Sequence, residues 1–148
     1  MKKTTFLRQL FVAGFLFLFT TFVQAGNLPK FSVLPLVKAP NTLTFNETGS
    51  AQYLVINNTL ITRTLTIVPI AGVYQTVAGL GSCPMPFTLA PGYSCVLNLQ
   101  IVASQIAGRH LSSGPAVCKT ISSGNNAPDP FLCSQAAPDD SFKVIVVP

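Results

Sequence analysis

Apolar and polar positions alternate with a period of two along several parts of this chain, the spacing at which successive side chains point to opposite faces of a strand. Residues 61–68 show it best. Thr62, Thr64 and Thr66 share one parity, and Ile61, Leu65 and Ile67 share the other, which suits a sheet with one wet face. Arg63 falls on the apolar parity and is expected at the strand end with its guanidinium in water; a binding role is the minority reading. Residues 95–102 alternate again, with Leu97, Leu99 and Ile101 set against Asn98 and Gln100. Shorter β-prone pieces are residues 42–45, 51–57, 73–77 and 142–147. Residues 26–40 hold three prolines and read as an edge strand or an extended lead-in.

The breaks between these pieces are turn-forming. Residues 46–50, Asn57-Asn58-Thr59 and the Pro91-Gly92 pair read as turns, and residues 78–82 as a flexible approach to Cys83. Residues 103–110 lose the alternation and have room for a single helical turn. Strand, turn and strand recur at this spacing with no helix of normal length. That pattern predicts an all-β, antiparallel β-sandwich.

The first 25 residues change the picture of where the chain folds. Lys2, Lys3 and Arg8 precede an apolar run over residues 10–23, and Val23-Gln24-Ala25 sets small residues at the two positions a signal peptidase reads. This is the order of a secretory signal peptide. The run is shorter than the roughly 20 residues that span a bilayer, so no stable membrane anchor is expected after cleavage. Residues 26–148 are then one domain, secreted or periplasmic, and expected as a monomer.

Removing the leader also removes most of the basic excess. The whole chain is +5, whereas residues 26–148 hold six cations and four acids, a formal +2. The cations are scattered singly, which gives a nucleic-acid partner little support. Four cysteines remain in an oxidising compartment and allow three pairings. Cys83–Cys95 with Cys118–Cys133 is favoured, because each pair closes a short turn-rich or polar segment. Metal ligation by these thiols is disfavoured: no Cys-x-x-Cys occurs, and His110 stands apart from all four.

The stretch Cys83-Pro-x-Pro-Phe-x-Leu89-x-Pro91-Gly92-x-Ser94-Cys95, preceded by Val55-Ile56-Asn57-Asn58-Thr59 and followed by the strand over 96–102, resembles a known group. It is similar to the immunoglobulin-like modules of the ASPM/SPD-2/Hydin type found in bacterial exported proteins. Residues 114–144, with Cys118 and Cys133, are similar to a variant carrying a second cysteine pair. One departure is plain: Asn-Asn-Thr stands where those modules read Asn-Thr-Gly. The resemblance implies an immunoglobulin-like sandwich of seven to nine strands with a non-catalytic, adhesive or scaffolding role. It carries over no catalytic residue and no defined ligand site.

Chemistry is sparse. No phosphate loop and no dinucleotide glycine pattern occurs, so no cofactor is expected. His110 has no nucleophile elbow around it, leaving a small hydrolase as the remote alternative. Asp139 and Asp140 read as capping a turn before the last strand, with calcium binding the alternative. Asn46 and Asn57 open glycosylation triplets, which are common by chance. The polar run over residues 119–132 is expected to be a surface loop. On this reading the partner is a protein or a surface glycan, met through that loop, the Tyr93 turn or a sheet edge. Lys119, Asn125, Asn126, Asp129, Phe131 and Tyr93 are the candidate contacts. A periplasmic structural or assembly factor is the alternative of a different class.

Overall fold

The computed structural model describes residues 28–122 and 124–148, so the leader and the expected cut after Ala25 lie outside the described residues. Strands follow one another as β1 (Phe31–Val37), β2 (Thr42–Thr44), β3 (Thr48–Asn57), β4 (Arg63–Ile67), β5 (Val73–Thr76), β6 (Phe87–Leu89), β7 (Ser94–Val102), β8 (His110–Leu111), β9 (Ala116–Ser122), β10 (Asn125–Gln135) and β11 (Val144–Val147). One sheet runs β1-β3-β7-β5 and a second β10-β9-β4-β6, both antiparallel throughout. A small third sheet, β2-β11-β8, pairs β11 with β2 in parallel. The architecture is an all-β, immunoglobulin-like sandwich with two disulfides.

Alternation decides which side chains fill it. In the first sheet, Phe31 and Val33 of β1, Ala51, Tyr53 and Val55 of β3, and Leu97, Leu99 and Ile101 of β7 all face inward and are buried. Leu65, Phe87, Leu89 and Val117 meet them from the second sheet. These side chains are worth roughly 1.5–3 kcal/mol each when removed from water. Residues 103–110 form two single turns, Ala103–Gln105 and Ala107–Arg109, which place Ala103 and Ile106 against the core.

Both disulfides join the favoured partners. Cys83–Cys95 closes 12 residues and Cys118–Cys133 closes 15. Such bonds mark an oxidising, extracytoplasmic compartment. A 15-residue closure restricts the unfolded chain by roughly 3 kcal/mol.

Residues 119–132 differ from expectation. They are a hairpin of β9 and β10, not an irregular loop. Pro128 and Pro130 are tolerated because β10 is an edge strand with one unpaired side, and the Cys118–Cys133 bond fixes the base of the hairpin. The register passes from Pro128↔Thr120 to Cys133↔Cys118, so β10 advances five residues while β9 advances two. The surplus forms a bulge at Asp129, Pro130, Phe131 and Leu132. The threonine face of β4 also departs from a wet face. Thr66 is buried, because its cross-strand neighbour is Cys118 and the disulfide to Cys133 lies on that side.

One end of the sandwich is closed by aromatic packing. Tyr53 and Phe142 meet edge to face with centroids 6.0 Å apart. The Tyr53 hydroxyl donates to the Asp140 carbonyl at 2.8 Å, and Phe142 enters the core just before β11. Asp139 and Asp140 sit in the turn Pro138–Asp140 without capping it by a side chain. The Asp140 carboxylate lies 2.9 Å from the Lys38 ammonium.

Burial, with the Asp140 charge adding to it, pushes the Tyr53 phenol up to about 12 from its ordinary 10. The folded state therefore holds its proton where the unfolded chain releases it. Stability from this group is complete below pH 10 and is lost as the pH rises from 10 to 12. In an absorbance titration at 295 nm, one of the three tyrosines is expected to ionise near pH 12. The fall in thermal midpoint across that window should be shallower in Tyr53→Phe. Ionisation of all three tyrosines near 10 in the folded protein would contradict this.

Candidate functional site

At the opposite end, the chain turns around one buried side chain. Asn57 ends β3 and is fully buried. Its Nδ2 donates to the carbonyls of Ile61 and Leu89, each at 2.9 Å. Its Oδ1 accepts from the Thr59 N–H at 3.0 Å and lies 2.7 Å from the Thr59 hydroxyl. Its own N–H donates to the Tyr93 carbonyl at 3.0 Å, and its carbonyl accepts from the Gly92 N–H at 2.8 Å. Every hydrogen-bonding position of the residue is therefore used. The glycosylation triplet at Asn57 is closed in the folded protein, since the amide is buried and engaged.

The turn it grips has a sequence cause. The Tyr93 N–H donates to the Ala90 carbonyl at 3.1 Å across Pro91-Gly92, and Gly92 has φ +74. Proline second and a left-handed glycine third is the type II arrangement. The next asparagine acts outward. Asn58 donates from Nδ2 to the Pro29 carbonyl and the Ser32 hydroxyl, and from its N–H to the Lys30 carbonyl. It straps residues 29–32 against the 58–61 turn.

Between strap and turn lies an open groove of about 460 Å³. It is lined by residues 28–30 and 58–61 together with Arg63 and Leu132. Leu60 is 93% exposed, and Leu28 and Ile61 are exposed as well. Arg63 opens β4 at the strand end, as its position in the sequence suggested, but it is half-buried rather than immersed. Its Nε is out of water with no hydrogen-bond partner. Among the described residues, ion pairs join Lys38 to Asp140 and Lys119 to Asp129, and neither involves Arg63. A second shallow depression, between Thr62 and Thr64 on one side and residues 119–122 on the other, also reaches Arg63.

Of the residues singled out in the sequence, Lys119, Asp129 and Phe131 are brought together. Lys119 projects from β9 with its ammonium 3.9 Å from the Asp129 carboxylate. Asp129 also accepts the Phe131 N–H at 3.0 Å and so shapes the bulge that leaves Phe131 95% exposed. Asn125 turns back on its own strand, accepting the Ala127 N–H, and Asn126 is exposed beside it at the start of β10. Tyr93 is exposed at the Asn57 corner, away from the hairpin start. His110 is exposed on β8, cross-strand from Ile145. Among the described residues, no three His, Cys, Asp or Glu side chains gather as a metal site would require, and no helix is long and apolar enough to cross a membrane.

The sequence reading missed the groove. Leu28, Leu60 and Leu132 lie far apart in the chain and show no shared periodicity. Arg63 on the wrong parity was the one available signal. No family model, curated protein or solved structure matches this chain.

Asn57→Ala leaves the buried Leu89 carbonyl without its donor, a loss of about 1–3 kcal/mol, while the Ile61 carbonyl keeps the Thr59 hydroxyl at 2.9 Å. The thermal midpoint is expected to fall by roughly 10 °C. Asn57→Asp should be worse at pH 7, since its carboxylate faces two carbonyl oxygens. That raises its folded pKa above the unfolded value of about 4, so the extra deficit should shrink as the pH falls towards 4 and be gone below it. Thermal scans at pH 3.5 and 7 check both points.

Proposed function

We propose that the protein is an exported, non-catalytic immunoglobulin-like module of the Hydin type that binds a protein partner at the end of the sandwich carrying Phe131 and the Arg63 groove. The observation that carries this is the exposure of Phe131. A phenyl ring placed in water by a bulge adds apolar area that a partner would bury on binding. Leu28, Leu60 and Ile61 expose further apolar area in the adjoining groove. The Cys118–Cys133 bond and the Asp129 turn hold the ring in place beforehand, which lowers the ordering cost of binding.

Three of the four edges of the two main sheets suit the role less well, β5 being the exception. β1 carries Pro35 and a register shift, β10 carries Pro128 and Pro130, and β6 is three residues flanked by Pro86 and Pro91. These features blunt strand addition. The basic-apolar leader and the two disulfides support export, and attachment to an envelope assembly is one form the partner could take.

A glycan reading has its own observation. Ser50, Gln52, Thr76 and Gln100 line a shallow, uncharged depression on the outer face of the first sheet, where Gln52 donates to Asn98 at 2.8 Å. Neutral amides and hydroxyls are groups that match sugar hydroxyls.

Fractionation of producing cells should find a chain beginning at Gly26 outside the cytoplasm. Labelled wild-type protein should bind isolated cell envelopes saturably. Phe131→Ser is expected to shift the thermal midpoint by about 1 °C or less, because the ring is exposed. It should weaken binding by roughly 30-fold, the loss typical of an aromatic anchor. Undiminished binding by Phe131→Ser together with a large loss in Gln100→Ala would move the function to the glycan face. A cytoplasmic chain with an intact leader would remove the exported-module reading.

A further inference from the structure

We infer that the Arg63 groove takes the carboxylate-terminated, apolar end of a partner polypeptide, an inference that rests on the protein-binding reading above. Three features of the groove select this occupant. The first is charge. Lys30 and Arg63 both line it and no acidic side chain does, so an anion gains from two cations. The second is the Arg63 Nε, which is buried and makes no hydrogen bond. A desolvated guanidinium N–H without an acceptor is costly, and a planar carboxylate gripped in a fork by two N–H groups of the guanidinium that face the groove brings negative charge closest to it.

The third feature is the lining. Leu28, Leu60 and Leu132 lie along the path to Arg63, so the group that delivers the carboxylate must be apolar next to it. Sulfate or phosphate would leave that surface wet. The groove is an open depression with Asn58 and Thr59 interrupting its apolar wall. This suits one or two side chains of a polypeptide and not a long acyl chain, which needs continuous enclosure. The Asn58 amide is already committed to Pro29 and Ser32, so the groove is built before the ligand arrives.

The probes are fluorophore-labelled tripeptides Ala-Leu-Leu, one ending in a free carboxylate and one in an amide, with decanoate as a competitor. Anisotropy is read on the exported chain at low salt. The acid is expected to bind about tenfold tighter than the amide or better. The gap should narrow in 0.5 M salt and close in Arg63→Gln. Arg63→Lys, which keeps the charge and loses the fork, should retain only part of it. If Arg63→Gln does not fold, the acid-to-amide gap in wild type and its reduction in Arg63→Lys decide the matter.

Equal binding of acid and amide overturns the inference. So does a gap that persists in Arg63→Gln, or no binding of either peptide at millimolar concentration. Decanoate binding without any acid-to-amide gap would assign the groove to a lipid carboxylate instead. Envelope binding lost in Phe131→Ser but unchanged in Arg63→Gln would leave the binding-module reading intact and remove the groove from it.

Discussion

The open end of the sandwich depends on the hydrogen-bonding completeness of one asparagine. Asn57 links β3, the 58–61 turn, β6 through the Leu89 carbonyl and the Pro91-Gly92 turn. None of these segments could bury its carbonyls at that point without a donor aimed at them. Leu or Val at this position would fill the space and leave the Leu89 oxygen orphaned. Gln would carry the same groups at a different reach. In Asn57-Asn58-Thr59, the first residue holds the corner, the second holds residues 29–32, and the third returns a bond to the first. A glycine at Thr59 would leave the Asn57 Oδ1 without the hydroxyl beside it.

The two ends are therefore built by different physics. At one, Tyr53 and Phe142 exclude water by area and shape, and the small sheet β2-β11-β8 ties the last strand to residues 42–44 and 110–111. At the other, closure is by directed hydrogen bonds from two asparagines, and such bonds fix geometry without covering apolar surface. Leu28, Leu60 and Ile61 stay exposed there, since no other described residue of the sandwich covers them. A rigid but uncovered end is what a binding module needs, since the surface is formed without being consumed.

Much of the interior was legible in the sequence, for a physical reason. Where one face of a strand is buried, period-two alternation is obligatory, and Leu97, Leu99 and Ile101 fell where the pattern put them. The cysteine pairing was legible because each bond closes a short local segment. The β9–β10 hairpin was not. Its second strand contains Asn-Asn-Ala-Pro-Asp-Pro, a composition that reads as loop. The strand persists because an edge position needs pairing on one side only and the disulfide supplies register that side chains do not. β6 was hidden for a related reason, since three residues between prolines are too few to show a period. The groove was illegible because it is made of segments joined only by Asn58.

The positions that break the local rules are informative together. Arg63 sits on the apolar parity of β4, Phe131 sits in water, and β10 carries three surplus residues at the bulge between them. A sequence selected only for a stable sandwich would place a small apolar residue at 63, a polar one at 131 and a regular hairpin between β9 and β10. Each would be cheaper in desolvation or exposed apolar area than what is there. The exceptions also adjoin in space. Leu132 follows Phe131 in the bulge and lines the same groove as Arg63. Arg63 and Leu132 are thus brought to one groove by a strand start and a bulge that a regular hairpin would not have supplied.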